Sequence, residues 1–205
     1  DTMDTFVCSS WYYLRYLCSS LEDKPFDKKL INKWMPVDLY VGGSEHATMH
    51  LLYARFIIKA LRDMELLNFD EPFKKLYHQG IITKDGAKMS KSRGNTVSPD
   101  KFINDYGSDV FRCYLMFMGP YDEGGDWNDR GITGISKFLN RVFAIIQKPI
   151  GSSALKSTVA IHKALNSVTS DLDNFKFNTA ISRMMEMTNA LISSKTLSYE
   201  DKSLI

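Results

Sequence analysis

Apolar and polar positions alternate along the first half of the chain only in short runs. Val37-Asp-Leu-Tyr-Val41 alternates and stops at Gly42-Gly43, the pattern of a half-buried strand meeting a turn. Beyond it, Ala47, Leu51, Ala54, Ile58 and Leu61 recur four and three apart, which predicts one long helix capped by Ser44. Gly80-Ile-Ile-Thr83 predicts a second short strand, ended by Asp85-Gly86. Ser98-Pro99 marks another helix start, the serine capping and the proline in the first turn. Strands alternating with helices predict an α/β fold with a parallel sheet, a partial one because only two strands are legible.

The pattern then changes. Ile132, Ile135, Phe138, Leu139, Val142, Phe143 and Ile146 make one helical stripe. Ile161, Leu165, Val168 and Leu172 make a second, and Phe177, Ile181, Met184, Thr188 and Leu191 a third. Pro149 with Gly151, and the segment around Asn174, separate them. These stripes predict an α-helical bundle, with Met184, Met185 and Met187 as packing residues. The expected division is 1–118 for the α/β part and 119–205 for the segment leading into and including the helices.

Composition narrows the function classes. Of the 205 residues, 44% are hydrophobic and 12% aromatic, enough to bury a core, so a disordered chain is excluded. The 26 basic and 24 acidic residues leave +2, shared evenly by the two parts, so nucleic-acid binding would have to rest on local patches. No run reaches the roughly 18 apolar residues of a membrane span, and the acidic, polar residues 1–4 show no secretory signal. The cysteines, Cys8, Cys18 and Cys113, are odd in number and widely spaced. They offer neither a zinc knuckle nor a redox pair and fit a reducing cytosol.

Three constellations carry candidate chemistry. In the segment 84–95, Lys84, Lys88, Lys91 and Arg93 face one carboxylate, Asp85, and Gly86 and Gly94 bracket a loop able to swing. Ammonium groups alternating with the hydroxyls of Ser90 and Ser92 suit a polyphosphate. At the strand–turn–helix junction stand Gly42-Gly-Ser-Glu-His46 and then His50. Ligands of open α/β sheets lie beyond such strand ends, and Glu45 is placed to accept from ribose hydroxyls. His46 and His50 are four apart but lack a third ligand, so no metal site is read there. His50 reads as a helix-surface residue, and His78 and His162 as structural. The aromatic segment 4–16, with Ser9 and Ser10, suits a small apolar pocket.

The string Lys88-Met-Ser-Lys-Ser92, expected by chance in roughly one such chain in ten thousand, matches the second signature of class I aminoacyl-tRNA synthetases. Asp-Thr-Met-Asp-Thr-Phe6, Ser9-Ser-Trp-Tyr12, Tyr40-Val-Gly-Gly-Ser-Glu-His-Ala47, Gln79-Gly80 and Phe177-Asn-Thr-Ala-Ile181 extend the likeness, and the sequence resembles the leucyl-tRNA synthetase family over nearly its whole length. The resemblance implies a Rossmann-like sheet followed by an anticodon-binding bundle. It implies ATP-dependent leucine activation, with Mg2+ on the ATP, and transfer to tRNA(Leu) by a monomeric cytoplasmic enzyme without zinc in this segment or membrane attachment. It makes Lys88 and Lys91 catalytic. It places Gly43, Glu45, Gln79, Ile81, Ile82, Lys88, Ser90, Lys91 and Ser92 around ATP, and Phe6, Ser9, Tyr12 and His46 around leucine. Cys8 stands where that family commonly has Asp or Glu.

No His-x-Gly-His, the first ATP signature of the class, occurs. The expectation is therefore an excised piece, the second half of a catalytic domain with the start of the bundle, inactive by itself. The alternative is a non-catalytic nucleotide- or RNA-binding module built from synthetase parts.

Overall fold

The computed structural model describes residues 5–205, without the side chain of Thr5. Residues 1–4, read above against a secretory signal and as the opening of the aromatic motif, lie outside the described residues. The chain divides into two compact units, the first ending at Gln79 and the second beginning at Gly80.

The first unit holds helices α1 (Thr5–Ser9), α2 (Tyr12–Tyr16) and α3 (Lys28–Trp34), strand β1 (Tyr40–Gly42), helix α4 (His50–Asp63) and strand β2 (Leu76–His78). β1 and β2 pair in parallel, Tyr40 opposite Leu76 and Gly42 opposite His78. Parallel neighbours need a long crossover, and α4 supplies it. Its buried face is Leu51, Ala54 and Ile58; the last two pack with Leu14, Ile31 and Leu67 in the unit's core. α3 is capped by Asp27, whose carboxylate accepts the amides of Lys29 (2.9 Å) and Leu30 (3.0 Å).

Two expectations fail here. The helix does not run from Ser44. Residues Ser44–Thr48 form a 3-10 turn, Met49 (φ −117°, ψ −105°) interrupts the path, and α4 begins at His50. The tighter turn rotates Ala47 out of phase with Leu51, and Ala47 is exposed. β2, unforeseen, carries Leu-Tyr-His, too short a run to alternate visibly.

The second unit begins with strand β3 (Ile81–Lys84), then β4 (Ala87–Lys88), α5 (Pro99–Tyr106), α6 (Ser108–Phe117) and β5 (Gly124–Trp127). β3 is central, antiparallel to β4 and parallel to β5. Asp85-Gly86 does more than end β3. Positive φ at both (55° and 71°) makes the two-residue hairpin turn into β4. β5 was not legible, since Gly-Gly-Asp-Trp has little strand propensity. Gly124 (φ 87°) nevertheless fits only as glycine, because a Cβ there would strike the Ile81 backbone. Ser98 does occupy the N-cap of α5, with Pro99 following, but its hydroxyl meets the Asp100 carboxylate (3.3 Å) rather than an amide.

Helices α7 (Ile132–Ile146), α8 (Leu155–Asp173), α9 (Phe177–Leu191) and α10 (Tyr199–Ser203) complete the unit. Trp127 meets the rings of Phe102 (4.8 Å) and Tyr114 (5.1 Å) in one core, joined by Ile132, Ile135, Phe138 and Ile181. Ile145, Ile161, Ala164, Met187, Leu191 and Leu197 form a second. Met184 and Met185 pack on the first and Met187 within the second, as expected of packing residues. The stripes drift from their expected phase. Phe143 and Ile146 face out while Ile145 is buried, and Leu165 and Leu172 are exposed while Ser157 and Ala164 are buried. Lys148 closes the end of α9 by donating to the carbonyls of Leu191 (2.9 Å), Ile192 (2.9 Å) and Ser194 (2.6 Å). Among the described residues, no helix is long and apolar enough to cross a membrane.

Candidate functional site

In the first unit, the end of β1 and the start of α4 enclose a cavity of about 160 Å³. Its lining includes Tyr40, Gly42, Gly43, His46, His50 and His78, with Leu51 and Leu76 supplying apolar surface. Tyr12 and Tyr40 share a hydroxyl–hydroxyl bond of 2.7 Å, and the Tyr40 hydroxyl meets His50 Nε2 at 2.8 Å. The Tyr40 ring stacks on Phe73, centroids 3.8 Å apart and planes 3° from parallel. Burial first, and the bond to Tyr12 second, raise the Tyr40 pKa and keep the phenol protonated. Burial, then the nearby His46, push the His50 pKa below 6.5, so this ring is neutral at pH 7. Among the described residues, the Nδ1 atoms of His46 and His50 are both buried without a hydrogen-bond partner, as is Gln79 Oε1. This wall is aromatic, its two hydroxyls bonded to one another and to His50, with the Nδ1 atoms of His46 and His50 unsatisfied among the described residues.

Tyr12 and His46, both foreseen, flank the His50 ring at centroid distances of 6.1 and 6.3 Å. Phe6 packs against Tyr53 (5.7 Å), and the Ser9 hydroxyl donates to the Phe6 carbonyl (3.4 Å). Neither lines the cavity. Cys8 is exposed. Glu45 folds its carboxylate over the Cα of Gly43, where a Cβ would collide with it. Tyr40, His50 and His78 were missed as lining residues. His50 carried a signal, one helical turn after His46. His78 Nδ1 lies 3.0 Å from the Gly42 carbonyl, so that nitrogen carries the proton and ties β2 to the end of β1.

In the second unit, the Lys/Ser loop leaves β4, makes a 3-10 turn at Lys91–Arg93 and passes through left-handed Gly94 (φ 66°). Asn95 spans its base. Its Oδ1 accepts the Ser90 amide (2.9 Å) and its Nδ2 donates to the Lys88 carbonyl (3.3 Å). Met89 and Val97 pack on the Trp127 core. The Ser90 and Ser92 hydroxyls lie 2.8 Å apart. Lys88 and Lys91 are exposed, and among the described residues no carboxylate pairs with either. The loop is thus anchored by its apolar and amide groups while its cations remain unpaired. Ile81 is 47% exposed, and Ile82 packs on the same core.

The family model for class I tRNA synthetases (I, L, M and V) matches residues 1–128, and the chain belongs to that family. Its relatives include the leucine–tRNA ligase of Clostridium kluyveri, 58% identical over alignment covering 93% of this chain and 25% of the relative. That of Dehalococcoides mccartyi is 50% identical, covering 93% and 24%. The chain thus spans about a quarter of the length of the curated relatives it matches. Among solved structures, the ternary complex of Agrobacterium radiobacter K84 agnB2 LeuRS, tRNA and LeuAMS superposes with a TM-score of 0.83 at 39% identity, covering 93% of this chain and 27% of that one. Mycobacterium tuberculosis methionyl-tRNA synthetase, in complex with methionyl-adenylate, shares the fold (TM-score 0.67, 21% identity, covering 90% and 38%).

Proposed function

We propose that this chain acts within a leucine–tRNA ligase, which activates leucine with ATP and transfers it to tRNA(Leu). The observation that carries the reading is the pair of exposed, unpaired ammonium groups, Lys88 and Lys91, on the anchored Lys/Ser loop of a chain with leucine–tRNA ligase relatives. The leucine carboxylate attacks the α-phosphorus of ATP, the bond to the bridging oxygen breaks, and pyrophosphate departs. Lys88 and Lys91 meet the charge that gathers on the leaving group, an electrostatic task that needs cations not already neutralised. Ser90 and Ser92 orient phosphate oxygens, and Mg2+ arrives with the nucleotide.

Gly43, Glu45, Gln79 and the backbone at Ile81 and Ile82 serve the adenosine. Phe6, Ser9, Tyr12 and His46 serve the leucine side chain, with Tyr40 and His50 added by the cavity. An aromatic wall whose hydroxyls are already bonded suits an aliphatic side chain, because those groups lose no water-bound partner when it arrives. In this reading, residues 1–118 belong to the second half of the catalytic domain and 119–205 to the connecting segment and first anticodon-binding helices. The enzyme is monomeric and cytoplasmic, and the 205-residue segment alone does not turn over.

Leucine-dependent pyrophosphate exchange by the whole protein tests this. Lys91→Ala should slow the maximal rate about 100-fold, near 3 kcal/mol, with the leucine KM unchanged. An unchanged rate with a raised leucine KM would contradict the assignment.

A further inference from the structure

Resting on that reading of the Lys/Ser loop, we propose that Asp126 is a positioning residue that aims the loop from β5. Asp126 stands opposite Thr83 in the parallel β3–β5 register. Its Oδ1 accepts the Thr83 hydroxyl at 2.5 Å and the Gly86 amide at 3.0 Å. It therefore closes the Asp85-Gly86 turn, two residues before Lys88. These donors, the hydroxyl first and the amide second, hold its pKa below the usual aspartate value, so the carboxylate is charged wherever the enzyme works.

A strong acceptor at this place matters because of what else holds the hairpin. β4 is only two residues long and pairs through Thr83–Lys88 and Lys84–Ala87. So short a ladder fixes the exit direction of the chain weakly. Charge-assisted bonds to donors on the turn stiffen it more than neutral ones would. The far side of the loop is held separately, by Asn95 on Ser90 and Lys88. The Asp126 charge goes to neutral donors, and no ion pair joins it to Lys88 or Lys91 among the described residues. It therefore orients the loop without cancelling the cations that the chemistry uses. Groups that act on a leaving phosphate must be placed within about 0.5 Å, so slack at the turn should reach the rate.

The test uses the whole ligase and leucine-dependent pyrophosphate exchange. Asp126→Ala should lower the maximal rate about tenfold, the loss of roughly one net charge-assisted bond, with the leucine KM unchanged. Asp126→Asn, which keeps an acceptor in place, should recover to within about threefold of the parent. Adding Asp126→Ala to Lys91→Ala should cost little beyond Lys91→Ala, because both act through one loop. An Asp126→Ala enzyme within twofold of the parent, or fully multiplicative losses in the double variant, would overturn the proposal. If the alanine variant fails to fold, Thr83→Val decides instead: it removes one donor and should slow the rate about threefold, and a parental rate would overturn the proposal. A fast Lys91→Ala enzyme would instead overturn the reading of the loop itself.

Discussion

The two units keep their polar groups in opposite environments. In the first, the Tyr12 and Tyr40 hydroxyls and His50 Nε2 bond to one another, 2.7 and 2.8 Å apart, beside a small cavity. In the second, Lys88 and Lys91 stand in solvent without a carboxylate partner among the described residues, and polar anchoring falls to Asn95 and Asp126 around them. The difference follows from desolvation. On the proposed reading, a wall that meets an apolar group has its polar atoms bonded before the group arrives, since an unpaired polar group there is expensive. A loop that meets polyphosphate keeps its cations free and leaves its own rigidity to other side chains.

The comparison breaks most visibly through the scaffold of the second unit. Gly124→Ala combines a positive φ with a clash against Ile81 and should destabilise β3–β5 pairing by about 3 kcal/mol or more. Amide exchange in β3 should accelerate accordingly while α4 in the first unit stays protected. Equal protection in both would mean that β5 is dispensable.

A smaller effect separates committed from uncommitted polar groups. Tyr40→Phe leaves the Tyr12 hydroxyl and His50 Nε2 without their partner and should cost about 2 kcal/mol. Lys88→Ala removes an exposed, unpaired charge and should change stability by less than about 0.5 kcal/mol. Thermal unfolding of the two variants side by side checks this, and similar shifts would erase the distinction.

Acid should act on the first unit through His50. Its folded pKa lies below 6.5 because burial disfavours the charged ring. As pH falls through 6.5 the unfolded chain takes up the proton first, so stability is lost from there down to the folded value and is unaffected above that window. Ring-proton NMR should place the midpoint below 6.5, and His50→Gln should flatten this part of the profile. A midpoint at or above 6.5 would refute the neutral His50 ring.

Another small effect lies on the surface of α4. Arg55 grips Glu71 with two bonds (2.8 and 2.7 Å), Lys59 adds a contact at 3.2 Å, and the Glu71 carboxyl falls to about 2, chiefly through Arg55. This contribution is present above the ordinary 4.5 and fades as pH falls through about 2. Solvent screens these half-exposed side chains, so Glu71→Gln should cost at most about 1 kcal/mol at pH 7. Denaturation at high salt should shrink it further.

The sequence by itself determined what is local. The Lys/Ser loop, the Gly42-Gly43 turn, the Asp85-Gly86 break and the helical stripes all declare themselves within a dozen residues, because turn chemistry and periodicity act at that range. Tertiary structure decided the rest. It alone recruited β2 and β5, whose short or glycine-rich runs become strands only when a partner fills their hydrogen bonds. It chose Ala164 over Leu165 and Ile145 over Ile146 for the interior, since a stripe says what a helix is able to bury and its neighbours select the face. It brought Tyr12 to Tyr40 from 28 positions away and Asp126 to Gly86 from 40. Hydrogen bonds at that separation leave no periodic trace, because the side chains meet only after the elements that carry them have packed.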